Sequence, residues 1–248
     1  MPPLPNRSLI TGAGTGIGLA VARRLALRGD HLLLHAHAHA KEAAEWAAGI
    51  GRNGGSAAVV AADLSTVEGV DRLAKASLER FPSLDVLVLN AGSYVRHSLD
   101  ELEDSTVERT IRLNLIHPFH LLRRLSGSLG REGRVSRVVF ISSVLAWDGS
   151  HHGADYAASK AGLVGLARSL ARELAPRVTV NVVAPGSIDT AILSGDTPEV
   201  RRQRERAIPL GRVGRAEEVA DAVEYLTSPA ASYLTGTTIH VNGGLRMD

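Results

Sequence analysis

Strand-like and helical segments alternate from end to end of this 248-residue chain, which predicts an α/β fold: a single-domain, Rossmann-type doubly wound parallel sheet with helices on both faces. Strand candidates such as Val86-Leu-Val-Leu89 and Val138-Val-Phe-Ile141 are continuously apolar, as strands become when helices cover both faces of a parallel sheet. No linker, composition shift, repeat or low-complexity tract divides residues 1–248, so one unit is expected.

Residues 7–11 read as the first strand, and the helical pattern of 16–29 follows a glycine-rich turn. Leu32-Leu33-Leu34 is strand-like, and the Ala-rich stretch 40–48 reads as a helix ended by Gly49, Gly51, Gly54 and Gly55. Further strands are expected at 57–62, 85–89, 137–142, 178–183 and 238–241, with helices at 66–80, 105–129, 155–175 and 216–227. Residues 186–214 follow a strand's carboxyl end and carry scattered Gly and Pro with a short basic helix pattern, which predicts a substrate lid.

Hydrophobic residues make up 44% and charged residues 22%, a mixture that folds around a core. The absence of cysteine excludes disulfides and thiolate metal sites, and a cytoplasmic home is expected. Met1-Pro-Pro-Leu-Pro lacks the charged start and apolar run of a signal peptide, and no run approaches the roughly 18 apolar residues of a membrane span, so no membrane role is expected. A net charge of +2, with basic residues spread among acids, leaves no concentrated basic face for nucleic acid.

Thr11-Gly-Ala-Gly-Thr-Gly-Ile-Gly18 joins the first strand to the first helix. Small residues there let the backbone turn tightly and approach a pyrophosphate at the helix N-terminus, which makes Gly12, Gly14, Thr15, Gly16, Ile17 and Gly18 dinucleotide-binding candidates. Glycine clusters also serve ordinary turns; the strand before and the helix after give this one its meaning. Many NAD sites place an acid about 20 residues further on. Here the chain reads His35-Ala-His-Ala-His39-Ala-Lys41. With no acid to repel a 2′-phosphate, and with His37, His39 and Lys41 as donors, NADP is expected and NAD is the alternative. The alternate histidines would share one face of an extended chain, but no acidic or cysteine ligand stands near, so no metal is expected. After the third strand, Asp63 and Leu64 are placed at the adenine end, Asp63 either accepting from the adenine amine or capping the next helix.

Tyr156 and Lys160 stand four apart at the start of a helix and share a face. A tyrosine titrates near pH 10, too high for ready proton exchange at neutrality, but a neighbouring ammonium and a cationic nicotinamide ring favour its ionised form. Tyr156 is therefore read as proton donor to a carbonyl oxygen in reduction and acceptor in oxidation. Ser143, at a strand's carboxyl end, would hydrogen-bond the same oxygen, and Lys160 would also hold the nicotinamide ribose.

Over its whole length the sequence resembles the short-chain dehydrogenase/reductase family. The resemblance rests on Thr-Gly-x-x-x-Gly-x-Gly at 11–18, Asn90-Ala91-Gly92, Asn114, Ser143, Tyr156-Ala-Ala-Ser-Lys160, and Pro185-Gly186 followed by Thr190. It implies that Asn90 braces the sheet beside the cofactor, that Asn114 holds a water extending the proton relay from Lys160, and that Ile188 and Thr190 contact the nicotinamide end. The stretches 157–162, 179–186 and 234–244 look like bacterial 3-oxoacyl-acyl carrier protein reductases. That branch implies a carrier-bound or small-molecule acyl substrate, with basic residues such as Arg134 and Arg177 flanking the mouth to meet an acidic carrier. The family also implies a homotetramer, to which the wide apolar stripe of Leu163, Leu166 and Leu170 lends support. Two alternatives stand beside this reading. One is a sugar, polyol or other small-alcohol dehydrogenase, with Tyr94, Trp147, His151 and His152 as pocket residues. The other is a non-catalytic dinucleotide sensor.

Overall fold

The computed structural model describes residues 4–52, 55–131 and 133–247; Gly54 and the first three residues of the N-terminal stretch read above lie outside them. Among the described residues, seven strands form one sheet: β1 (Arg7–Ile10), β2 (His31–Ala36), β3 (Ser56–Ala61), β4 (Val86–Leu89), β5 (Ser136–Ile141), β6 (Val178–Pro185) and β7 (Thr238–Val241). Their order is β3-β2-β1-β4-β5-β6-β7 and every neighbouring pair is parallel. The winding reverses between β1 and β4, which opens a crevice at the carboxyl ends of the strands.

The helices are α1 (Gly16–Leu27), α2 (Ala40–Arg52), α3 (Val67–Arg80), α4 (Asp104–Ile111), α5 (His117–Leu125), α6 (Leu145–Asp148), α7 (Ala154–Leu174), α8 (Pro198–Ala207) and α9 (Ala216–Leu226). Apolar strand runs divide by their period of two between two cores. Leu9, Leu33, Leu87 and Val138 join Leu73, Leu121 and Leu163 on one face of the sheet. Ile10, Leu32, Leu34 and Val139 join Val21, Leu25 and Val223 on the other.

Two elements differ from the expectation. Helix α2 runs through Gly49 and Gly51 to Arg52. Each glycine costs about 1 kcal/mol of helix propensity, but Trp46, Ala47 and Ile50 pack on the core and carry the apolar stripe past Gly49. The single helix expected over 105–129 is broken by a π-helical turn, Arg112–Ile116, and ends in a 3₁₀ turn at Ser126–Ser128. Asn114 sits fully buried inside that π-turn, the kind of local widening that recurs at functional sites.

Candidate active site

The turn after β1 is built for close approach. Gly12 and Gly16 take left-handed φ of +66° and +52°, and a Cβ on Gly18 would stand 2.1 Å from the Gly12 carbonyl oxygen. Asn90 Nδ2 donates to the carbonyls of Thr11 (3.0 Å) and Gly12 (3.2 Å). Thr11 Oγ1 accepts from the amides of Asn90 (2.9 Å) and Ala91 (3.0 Å), so the turns after β1 and β4 form one braced unit. His35 completes the brace: its Nδ1 accepts from Gly12 N (3.1 Å) and its Nε2 lies 3.0 Å from the Ala62 carbonyl, which sets the proton on Nε2. Burial lowers the pKa of His35 and favours this neutral form. Thr15 N-caps α1 without a side-chain cap bond, and no acid stands in the first turn, so the positive end of the helix suits an anion.

Strand β2 stops at Ala36. His35 is therefore buried while His37 and His39 are exposed, and the three do not share a face. Among the described residues, no group of three His, Asp or Glu is placed to hold a metal ion. Asp63 does not cap α3. Thr66 does, its Oγ1 accepting from Gly69 N at 3.0 Å. Asp63 instead accepts from Ser65 N at 2.8 Å, and hydrogen bonds from Ser65 hold its carboxyl below the usual range. Leu64 is buried, and its carbonyl meets His117 Nδ1 at 2.7 Å.

Parallel strands bring Ser143, just past β5, to the first turns of α7, where Tyr156 and Lys160 share a face. Ser143 faces the Tyr156 phenol, and its Oγ accepts from Leu145 N at 3.2 Å. Lys160 Nζ donates to the Ile141 carbonyl at 2.9 Å and lies 5.5 Å from the centre of the Tyr156 ring. Burial pushes Tyr156 up to about 12, opposed by the Ser143 hydrogen bond, and pushes Lys160 down to about 8. The phenol lies above its ordinary value here because burial, with a smaller push from neighbouring Tyr94, outweighs the effect of Ser143.

Asn114 lies behind this centre. Its Nδ2 donates to the Ser93 carbonyl (2.9 Å) and Ser159 Oγ (3.2 Å), and its Oδ1 accepts from Ser93 N (2.9 Å). A Cβ on Gly92 would stand 2.9 Å from Asn114 Oδ1 and 3.5 Å from Lys160 Nζ, so the two polar groups approach across Gly92. The amide, engaged on both sides, clamps the loop after β4.

A cleft of about 730 Å³ opens at the carboxyl edge of the sheet. Of the residues singled out in the sequence, Ile17, Asn90, Gly92, Ser143, Tyr156, Lys160, Pro185, Gly186, Ile188 and Thr190 line it. Gly12, Gly14, Thr15, Gly16, Gly18, His37, Asp63 and Ala91 do not, but follow β1, β2, β3 and β4 along the same edge. Tyr94, His151 and His152 also line the cleft. Trp147 does not: its ring packs edge-on against His240, with centroids 4.7 Å apart, and Arg246 lies over it.

The arginines at the cleft are Arg96 and Arg204 rather than Arg134 and Arg177. Arg134 and Arg177 precede β5 and β6, at the amino ends of parallel strands and hence across the sheet from the mouth within one chain. Arg134 is engaged there by Asp85 (3.1 Å) and Asn6 (2.9 Å). Arg96 and Arg204 share the nearly buried carboxylate of Asp196, at 3.1 and 2.5 Å, and those hydrogen bonds lower its pKa. The stripe on α7 is also largely internal: Leu163 and Leu170 belong to the core, and Leu166 alone of the three is partly exposed.

Residues 12–246 match the family model described as enoyl-(acyl carrier protein) reductase. A Brucella melitensis structure described as short-chain dehydrogenase/reductase SDR:glucose/ribitol dehydrogenase superposes with a TM-score of 0.91 at 35% identity, covering 99% of this chain and 98% of its own. The chain belongs to the short-chain dehydrogenase/reductase family. Within this oxidoreductase family it is similar to the 3-oxoacyl-[acyl-carrier-protein] reductase FabG of Salmonella typhimurium, 38% identical over 97% of each chain. A Burkholderia cenocepacia short-chain dehydrogenase solved in complex with NADP matches with a TM-score of 0.89 at 32% identity, over 97% of each chain.

Proposed function

We propose that this chain interconverts a carbonyl and a secondary alcohol with NADP(H), with Tyr156 as general acid and base, and that its substrate is a 3-oxoacyl thioester. The observation that carries the reading is the meeting of Ser143, Tyr156 and Lys160 on one wall of a large cleft beside a braced, glycine-lined turn. When bound, the nicotinamide cofactor supplies the hydride in reduction and takes it in oxidation. The chain's part is binding and the proton. Gly12, Gly14, Thr15, Gly16, Ile17 and Gly18 hold the pyrophosphate at the start of α1. Exposed His37, with His39 and Lys41, receives the 2′-phosphate, a reading supported by the NADP-bound relative.

Asp63, Leu64, Asn90, Ala91 and Gly92 border the adenosine and ribose, and Pro185, Gly186, Ile188 and Thr190 border the nicotinamide. The Tyr156 hydroxyl gives its proton to the carbonyl oxygen in reduction and recovers it in oxidation. Ser143 donates to the same oxygen and stabilises the charge developing there. Lys160 holds the ribose and, when protonated, eases ionisation of Tyr156. Asn114 holds the loop after β4 in place behind Lys160 and extends the relay.

The 3-oxoacyl assignment draws on the similarity to FabG and on the apolar side of the cleft, where Leu145, Ile192, Leu193 and Val200 suit an acyl chain. A sugar or polyol alcohol is the second reading, favoured by Ser150, His151 and His152 at the cleft and by the Brucella relative. We read residues 1–248 as a single domain working in the cytoplasm as a homotetramer, with 186–214 as its lid. No helix among the described residues is long and apolar enough to cross a membrane. Turnover of purified protein with NADPH and NADH, across 3-oxoacyl thioesters, acyl carrier conjugates, simple ketones and polyols, tests the assignment. Preference for a polyol over every thioester removes it.

A further inference from the structure

Tyr94 stands on the loop after β4, one residue beyond the Ser93 that Asn114 clamps. Its ring centre lies 4.7 Å from that of Tyr156, with the planes tilted by 50°, within the range where aromatic pairs attract beyond simple area burial. The Tyr94 hydroxyl donates to the His152 carbonyl at 2.8 Å and lies 3.1 Å from Ser150 Oγ. One ring is thus pinned between the loop after β4, the loop before α7 and the phenol of Tyr156.

Gly153 makes the seat. Its φ is +142°, and a Cβ there would stand 2.4 Å from Tyr94 Cε2, so any side chain at 153 displaces the ring as well as straining the backbone. Gly153 is also the N-cap of α7, three residues before Tyr156. Across the Tyr156 ring, Lys160 Nζ lies 5.5 Å from its centre, and Ser143 stands beside it in the cleft.

On the reading of Tyr156 as proton donor, we propose that Tyr94 is its positioning residue. The Tyr94 ring, seated on Gly153, holds the Tyr156 phenol at the angle that meets Ser143 and keeps water from that side. Because Tyr94 also lines the cleft beside Tyr156, it confines the substituent on that flank of the carbonyl to a slim, unbranched group. Substrates carrying a methyl or methylene there fit; aryl ketones do not.

The test compares wild type, Tyr94→Phe and Tyr94→Ala on an unbranched 3-oxoacyl thioester and on an aryl ketone, with NADPH binding followed by fluorescence. Tyr94→Phe keeps the ring and should stay within about threefold in kcat, since it loses only hydrogen bonds at the rim. Tyr94→Ala should lose about tenfold in kcat on the thioester, the upper end of what an aromatic pair contributes, with NADPH affinity retained. Its selectivity should move about tenfold toward the aryl ketone. The limb of its kcat–pH profile due to Tyr156 should move to lower pH as water reaches the phenol. Wild-type kcat, selectivity and pH profile in a Tyr94→Ala protein that still binds NADPH overturn the inference. If that variant does not bind NADPH, Tyr94→Leu, which keeps bulk without a ring, decides by the same criteria. A wild type that reduces none of these compounds overturns the reading of Tyr156 and this one together.

Discussion

Replacing Lys160 with methionine should abolish turnover and yet make the ligand-free protein more stable. Lys160 is 4% exposed, and burial drives its ammonium from 10.5 down to about 8. At neutral pH the folded chain therefore carries a charge where its surroundings disfavour one. At about 1.4 kcal/mol per unit, that displacement corresponds to roughly 3 kcal/mol. Methionine has similar length and no charge, but it forgoes the 2.9 Å hydrogen bond from the ammonium to the Ile141 carbonyl, a loss of about 2 kcal/mol for a charged donor. The difference favours the variant by about 1 kcal/mol, or about 2–4 °C in melting temperature for a chain of this size.

The same displacement sets a pH dependence. The folded pKa of Lys160 lies below its unfolded value, so between about pH 8 and 10.5 the unfolded chain holds a proton that the folded chain does not, and stability rises with pH across that window. Tyr156 has the opposite sign: raised from 10.0 to about 12, it costs stability as pH climbs through that range. Calorimetry of wild type and Lys160→Met without cofactor, at pH 7 and pH 9.5, reads both effects. A variant that melts at or below wild type at pH 7, or that keeps the wild-type rise toward pH 9.5, would refute the reasoning.

Tyr156→Phe should lower kcat by about 10²–10⁴ while NADPH affinity changes little, because only the proton donor is removed; stopped-flow turnover and fluorescence titration separate the two. Ala36→Asp, at the buried end of β2, should shift the ratio of kcat/KM toward NADH by placing a carboxylate where a 2′-phosphate would sit. Gly18→Ala should fail to yield soluble, NADPH-binding protein, since its methyl would lie 2.1 Å from the Gly12 oxygen. Light scattering at micromolar concentration should report a tetramer; a monomer counts against the homotetramer.

The strands of the described residues were legible because most are short apolar runs between turn residues, and their bounds differ from the expectation by a residue or two. Local chemistry also singled out Ser143, Tyr156 and Lys160, which the fold brings to one cleft. What escaped depends on partners distant in sequence. Nothing near residue 49 announces that Ile50 packs on the core and draws α2 onward. His35 looked like one of three equivalent histidines until the end of β2 turned it inward onto Gly12. Arg96 and Asp196 meet across 100 residues, and Arg134 looked well placed until the strand direction put it on the far edge. Trp147 turns from the cleft for the same reason, its neighbour being His240 near the C-terminus.

The 186–214 excursion begins and ends at one place. Ile188 bridges to Gly214, Asp189 N donates to the Gly214 carbonyl at 2.8 Å, and Gly214 N donates to the Ser187 carbonyl at 2.9 Å. A segment closed at its own neck can lengthen or shorten at small loop-closure cost, provided the ties of Asp196 to Arg96 and of Leu210 N to the Gly243 carbonyl are kept. Grafting the corresponding segment from a relative with different substrates, cut between Ser187 and Gly214, should therefore exchange substrate preference and leave Tyr156 and Lys160 on α7 in place.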